Sequence, residues 1–289
     1  MPDPLIQVNA NVILTIAKTI PSSARMYARM QKALQDPDCD LDQIIDLVRL
    51  DTGLCAGVIQ ISNSAASKRG ETITTIEEAI SRVGLREVQR LVGLTVSKQM
   101  FSRSMPLYRV GTEALWHNSL CVAHAASCLA QNVDEDAKIG YTMGMMRPIG
   151  RLVLQETANA SRKFYLQPVP EKASFERTRD WEIATFGVTQ DSVIGTVLTE
   201  WGFPPAIRDP LMYYFNPALD PDQAVMTAVM HIACAVADSL GKGLPCEFQS
   251  WTLSDELLEQ AGLSRTVVET SIMQTRVELA EALETYYRK

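Results

Sequence analysis

Asp51-Thr52-Gly53-Leu54-Cys55-Ala56-Gly57-Val58-Ile59-Gln60-Ile61-Ser62-Asn63-Ser64-Ala65 is the stretch that decides the fold. Leu54, Val58 and Ile61 recur at i, i+4 and i+7, the spacing of one helix face. Upstream, Ile44, Ile45 and Val48 keep the same period, and Asp40 stands where a helix beginning near Leu41 would be capped. Downstream, Thr75-Ile76-Glu77-Glu78 has the form of a capping box ahead of Ala79-Ile80. Gly84 breaks that helix, and a longer one is predicted over about Arg86 to Phe101. No run alternates apolar and polar residues, and no Asn-Gly or Asp-Gly pair signals a hairpin. The chain therefore reads as all-α.

Two helical lobes are expected, an N-terminal helical bundle over residues 1–105 packed on a second bundle over 106–243. A short connection around Pro106 joins them, and residues 244–289 form a C-terminal helical extension. The second lobe opens with a helix over Thr112 to Gln131. Further helices are predicted over Phe175 to Phe186, Asp191 to Trp201, Pro205 to Tyr214 and Asp222 to Leu240. Two more, Ser254 to Gln260 and Arg265 to Tyr287, close the chain. Pro205 suits a first helical turn, where its missing N–H costs nothing.

The bulk properties narrow the function classes. The chain has 289 residues, 46% of them hydrophobic, enough for a substantial core. Its net charge of −7 argues against non-specific nucleic-acid binding. Met1-Pro2-Asp3-Pro4 lacks the basic start of a signal peptide, and no apolar run approaches the ~20 residues of a membrane span. A cytoplasmic protein with no membrane partner is expected. The six cysteines form no Cys-x-x-Cys pair and read as reduced, buried thiols. Nucleophile-elbow, phosphate-loop and dinucleotide-loop signatures are all missing from the sequence.

The quoted stretch, continued through Ile73, Thr74, Thr75, Ile76, Ala79-Ile80 and Val83-Gly84-Leu85, resembles the HDOD (HD-related output domain) family. Thr52 stands where that family usually has proline, and Pro21 matches its opening motif only in part. A looser likeness runs through Leu115-Trp116, Gly144 to Leu152, Trp201-Gly202-Phe203-Pro204 and His231-Ile232-Ala233. The resemblance implies an all-helical fold related to metal-dependent phosphohydrolases of the HD type. It also implies where metal ligands would fall: Asn118, one residue after His117; Arg147 and Pro148, in place of a His-Asp pair; Gln190; Tyr213, Tyr214 and Phe215; and Cys234, with Asp238 one turn further on. Arginine has no lone pair to give and proline has no side-chain ligand atom. Only His231 and Asp238 keep ligand chemistry, and two groups on one helix do not make a catalytic site.

These positions suggest a retained scaffold whose metal chemistry is gone, with no cofactor and no catalytic residues. Arg147 and Arg151, four apart, would share a helical face if Pro148 occupied the first turn. They could clamp a phosphate, a nucleotide or an acidic side chain. The plainer expectation is that Arg147 fills the vacated site and pairs with an internal carboxylate. His231 reads first as a hydrogen-bonded core residue. His117 and His124, two turns apart, lack a third ligand. Arg82, Arg86 and Arg90 read as a solvated face. What the resemblance implies for function is a non-enzymatic bacterial signalling module acting through protein partners, such as members of two-component or cyclic-dinucleotide pathways. The alternatives are an anion or nucleotide sensor built on Arg147 and Arg151, and a residual phosphohydrolase.

Overall fold

Asn9 opens the first helix, accepting the Val12 N–H at 3.1 Å on its side chain. The computed structural model describes residues 3–20, 74–84, 102–163, 165–222 and 224–287, with scattered positions between 30 and 95. Helices are numbered here over those residues. α1 is Ala10–Ala17. α2 is Ile76–Val83, and Thr75 and Glu78 form the capping box expected from the sequence. Gly84 ends α2 at a φ of 87°, which favours glycine. The capping call at Asp40, Leu54, Ile61, Cys39, Arg86 and Arg90 lie outside the described residues. Ile44, Ile45, Val48 and Val58 are buried, as their periodicity requires.

The second bundle is built around α3, Thr112–Gln131, whose bounds are those read from the sequence. Its residues are buried on nearly every side. α4 (Ala137–Met146), α10 (Val225–Ser239) and α12 (Arg265–Tyr287) all pack against it. Between them run α5 (Ile149–Ser161), α6 (Phe175–Phe186) and α7 (Gln190–Glu200). The predicted helix from Pro205 to Tyr214 is two short ones, α8 (Pro205–Arg208) and α9 (Pro210–Tyr213), because Pro210 has no N–H to continue the first. α11 (Asp255–Ala261) is capped by Ser254 and precedes α12. Among the described residues the only strand-like pairing is one bridge between Met105 and Val110. No described helix is long and apolar enough to cross a membrane.

Both chain ends belong to this second bundle. The N–H groups of Leu5, Ile6 and Val8 donate to the carbonyls of Ala184, Thr185 and Phe186, capping the end of α6. α1 then lies on α5 and α7. The C-terminal segment, described to residue 287, is packed inward as well: Leu244, Cys246, Leu257 and Leu279 are buried.

Glycines set how closely α3 and α4 approach. A Cβ on Gly140 would lie 2.6 Å from the Ala126 carbonyl oxygen, and one on Gly144 would overlap the Ala123 backbone. Gly140 and Gly144 are one turn apart on one face, so α4 lies backbone to backbone on α3. The close approach brings Arg147, three residues past Gly144, toward Asn118 on α3. Gly144→Ala should lower stability by about 1–3 kcal/mol through overpacking, read in chemical denaturation. An unchanged midpoint would contradict the close crossing.

Candidate functional site

Pro148 divides the segment that the resemblance singles out. α4 ends at Met146, Arg147 caps it with its N–H donating to Met143 at 2.9 Å, and Pro148 precedes α5. Arg147 and Arg151 therefore stand on the ends of two abutting helices rather than on the face of one. They still converge. Arg147 Nη1 donates to Glu247 Oε1 at 2.6 Å, and Arg151 Nη1 donates to the same oxygen. Arg147 Nη2 donates to Asn118 Oδ1, and Asn118 Nδ2 donates to the Lys242 carbonyl at 2.6 Å. Lys242 and Glu247 lie just beyond α10, so the cluster ties α3 and the α4–α5 junction to the C-terminal segment.

Both guanidiniums and the carboxylate have side chains only 1% exposed. Aromatic rings complete the enclosure. Tyr214 lies 5.9 Å from the Arg147 guanidinium carbon; Tyr108 and Phe215 lie 5.8 and 5.3 Å from that of Arg151. These distances suit cation–π attraction. Phe215 in turn stacks on Phe175 and Trp251.

Burial alone would push the Glu247 carboxyl up, but Arg147 and Arg151 outweigh it and hold the group below the ordinary carboxylate range. Burial likewise disfavours charge on both arginines. The surrounding charges, Glu247 among them, more than offset it, and both stay protonated. Glu182 behaves differently. Fully buried, it is pushed up to about 7 by desolvation, against the pull of Arg151 and of two hydrogen bonds. Those bonds come from Tyr108 Oη at 3.0 Å and the Gln190 backbone N–H at 2.8 Å. Burial raises Cys121 and Cys234 to about 12 and Cys246 to about 11, so these thiols remain neutral.

Of the positions named from sequence, Asn118, Arg147, Arg151 and Tyr214 meet in this cluster, and Cys234 lies within its electrostatic reach. Gln190 is one step away, bonded through its side chain to Asp191, while a Cβ on Gly150 would overlap its carbonyl. Tyr213 points elsewhere and lines a pocket of about 190 Å³ with Phe175, Arg179, Asp191 and Phe215. His231 is a core residue: Nδ1 faces the Tyr214 carbonyl at 2.9 Å and the ring meets Trp251 edge-on. Asp238 stands apart beside Gly243, its carboxyl raised by burial and by Glu247. His117 and His124 have separate neighbours, Glu113 at 3.8 Å and Glu278 at 3.0 Å.

The expectation of an internal carboxylate partner is what the structure contains, and Glu247 is the residue that sequence reasoning did not name. Nothing in the local pattern of Pro245-Cys246-Glu247 marks it. The available signal was indirect: two arginines in an apolar setting require a carboxylate. The donor set does not fit a divalent cation, since two guanidiniums face one carboxylate. Among the described residues no three His, Cys, Asp or Glu side chains are grouped as a metal would require.

Glu247→Ala should destabilise the protein by about 3–5 kcal/mol, because it leaves two cations buried without a partner. Replacing all three residues with apolar ones of similar volume should recover most of that loss. Urea denaturation of the single and triple variants checks both. A single variant as stable as wild type would mean that the cluster is hydrated and open rather than buried.

The chain can now be set beside known proteins. The HDOD domain family matches residues 20–217. An uncharacterized protein from Treponema pallidum is 28% identical over 136 residues, 46% of this chain and 26% of that one. The match thus spans about a quarter of the relative's length. An HDOD domain protein of unknown function from Geobacter sulfurreducens superposes with a TM-score of 0.65 at 18% identity, covering 96% of this chain and 99% of that one. A proposed signal-transduction protein from Marinobacter aquaeolei superposes with a TM-score of 0.67 at 16% identity, covering 93% of this chain and 59% of that one. At such identities these structures share the fold. The chain belongs to the HDOD family.

Proposed function

We propose that this protein is a non-enzymatic signalling module that acts by binding other proteins, and that the metal site of its hydrolase relatives is here an internal ion cluster. One observation carries the reading: Glu247 is shared between Arg147, which stands where the family resemblance puts the His of a His-Asp ligand pair, and Arg151, four residues on. Metal-dependent hydrolysis of a phosphate ester needs a cation that binds water beside the substrate. Two guanidiniums repel such a cation and offer it no lone pair. Their side chains are 1% exposed, so a nucleotide does not reach them in this conformation either. The fold shared with the Marinobacter signal-transduction protein is in keeping with this role.

Partners would be bacterial signalling proteins, such as members of two-component or cyclic-dinucleotide pathways, met in the cytoplasm. The surface engaged would be the first lobe or the cleft between lobes. A fold does not by itself fix a function, so the experiment addresses both halves of the reading. Purified protein incubated with manganese, iron or zinc should hydrolyse an aryl phosphodiester no faster than buffer does. Crosslinking in the producing cell should join the chain to a signalling protein. Metal-dependent turnover, with no crosslinked partner, would overturn the proposal.

A further inference from the structure

The cluster around Glu247 uses only part of its hydrogen-bonding capacity. Arg151 gives Nη1 to Glu247, while its Nε and Nη2 have no hydrogen-bond partner within the protein. The same holds for Arg147 Nε and Tyr214 Oη. Every one of these side chains belongs to a residue at most 1% exposed. Nε–H and Nη2–H of one guanidinium point the same way and form the edge with which arginine grips an anion. Buried donors of this kind are nearly always met by an acceptor. Two acceptors of the neighbourhood, Glu247 Oε2 and Gln190 Oε1, also lack a partner but are too few for these donors.

Charge leads to the same place. Arg147 and Arg151 carry two positive charges against the single negative charge of Glu247. The next carboxyl is Glu182, and its two oxygens are engaged by Tyr108 and the Gln190 backbone rather than by Arg151. Asp191 lies beyond it and is paired with Arg179 at 3.0 Å. Cys234 and Cys246 are neutral thiols.

We propose that the Nε/Nη2 edge of Arg151 is a binding site for a compact monovalent anion, of halide or formate size. The enclosure sets the size. Arg151 is flanked by the rings of Tyr108 and Phe215 and is fully buried, which excludes a phosphate ester or nucleotide. The site rests on hydrogen-bond geometry and charge, and stands whether or not the signalling reading holds.

Protonation of Glu182 modulates the site. Below its value of about 7 this carboxyl is neutral, and the cluster keeps one uncompensated positive charge. Above that value Glu182 supplies the missing negative charge, and an external anion is held less tightly. Groups facing Glu182 are Arg151, Tyr108, Asp191, the Gln190 N–H and the neutral Cys246 thiol. Arg151 favours its ionised form and Asp191 opposes it.

The test uses the full chain crystallised in sodium bromide. An anomalous peak within hydrogen-bonding distance of Arg151 Nε and Nη2 is the expected result. Water without anomalous signal at that place, or bromide confined to the surface, would overturn the proposal. In solution, bromide at constant ionic strength should raise the Tm by about 2 °C or more at a pH of about 6, and by less at about 8. In Glu182→Gln, which is neutral throughout, the shift should be equal at both. No bromide-specific shift in wild type at either pH would also overturn it.

Discussion

A buried guanidinium cannot be left alone. Removing it from water costs several kcal/mol even after relaxation, and the group cannot escape by losing its proton. Among the described residues there are two such groups, Arg147 and Arg151, in the second bundle. Much of the surrounding architecture follows from satisfying them. The C-terminal segment must turn inward after α10 so that Glu247 can reach both. Asn118 must face the cluster from α3, and the Lys242 carbonyl holds it there. Tyr108, Tyr214 and Phe215 supply ring faces to the two guanidiniums.

The cluster also explains why residues 244–287 are part of the bundle and not an appendage. Glu247 sits in a short turn whose backbone is tied down on both sides. Thr178 donates to the Cys246 carbonyl, and the Phe248 N–H donates to that of Ala173. α12 then closes over α3, where His124 meets Glu278. A segment that carries a carboxylate bonded to two buried cations has little freedom to be lost or moved. Such a triad is weak support for stability and a better candidate for fixing one arrangement of elements over another.

Local signals made the helices legible. Thr75 to Glu78 and the spacing within Thr112 to Gln131 each specify structure over a few residues, and each matches what is observed. One helix was expected over Pro205 to Tyr214, and Pro210 divides it into two. The site was legible only in its cations. Arg147, Asn118 and Tyr214 could be placed because the family pattern gives positions their register. Glu247, Glu182 and Tyr108 could not, because a contact spanning a hundred residues leaves no periodicity in the chain. The Gly140/Gly144 pair shows the same limit: it matters only through its close approach to Ala123 and Ala126 on another helix.

The central claim is that the HD-type metal position is filled by the protein's own charges. Elemental analysis tests it most directly, on protein incubated with manganese, iron and zinc and then thoroughly desalted. The account predicts substoichiometric metal in every case, because the Arg147–Glu247–Arg151 cluster offers no ligand set. One or more tightly held equivalents per chain would contradict it and return the protein to the metal-dependent hydrolases.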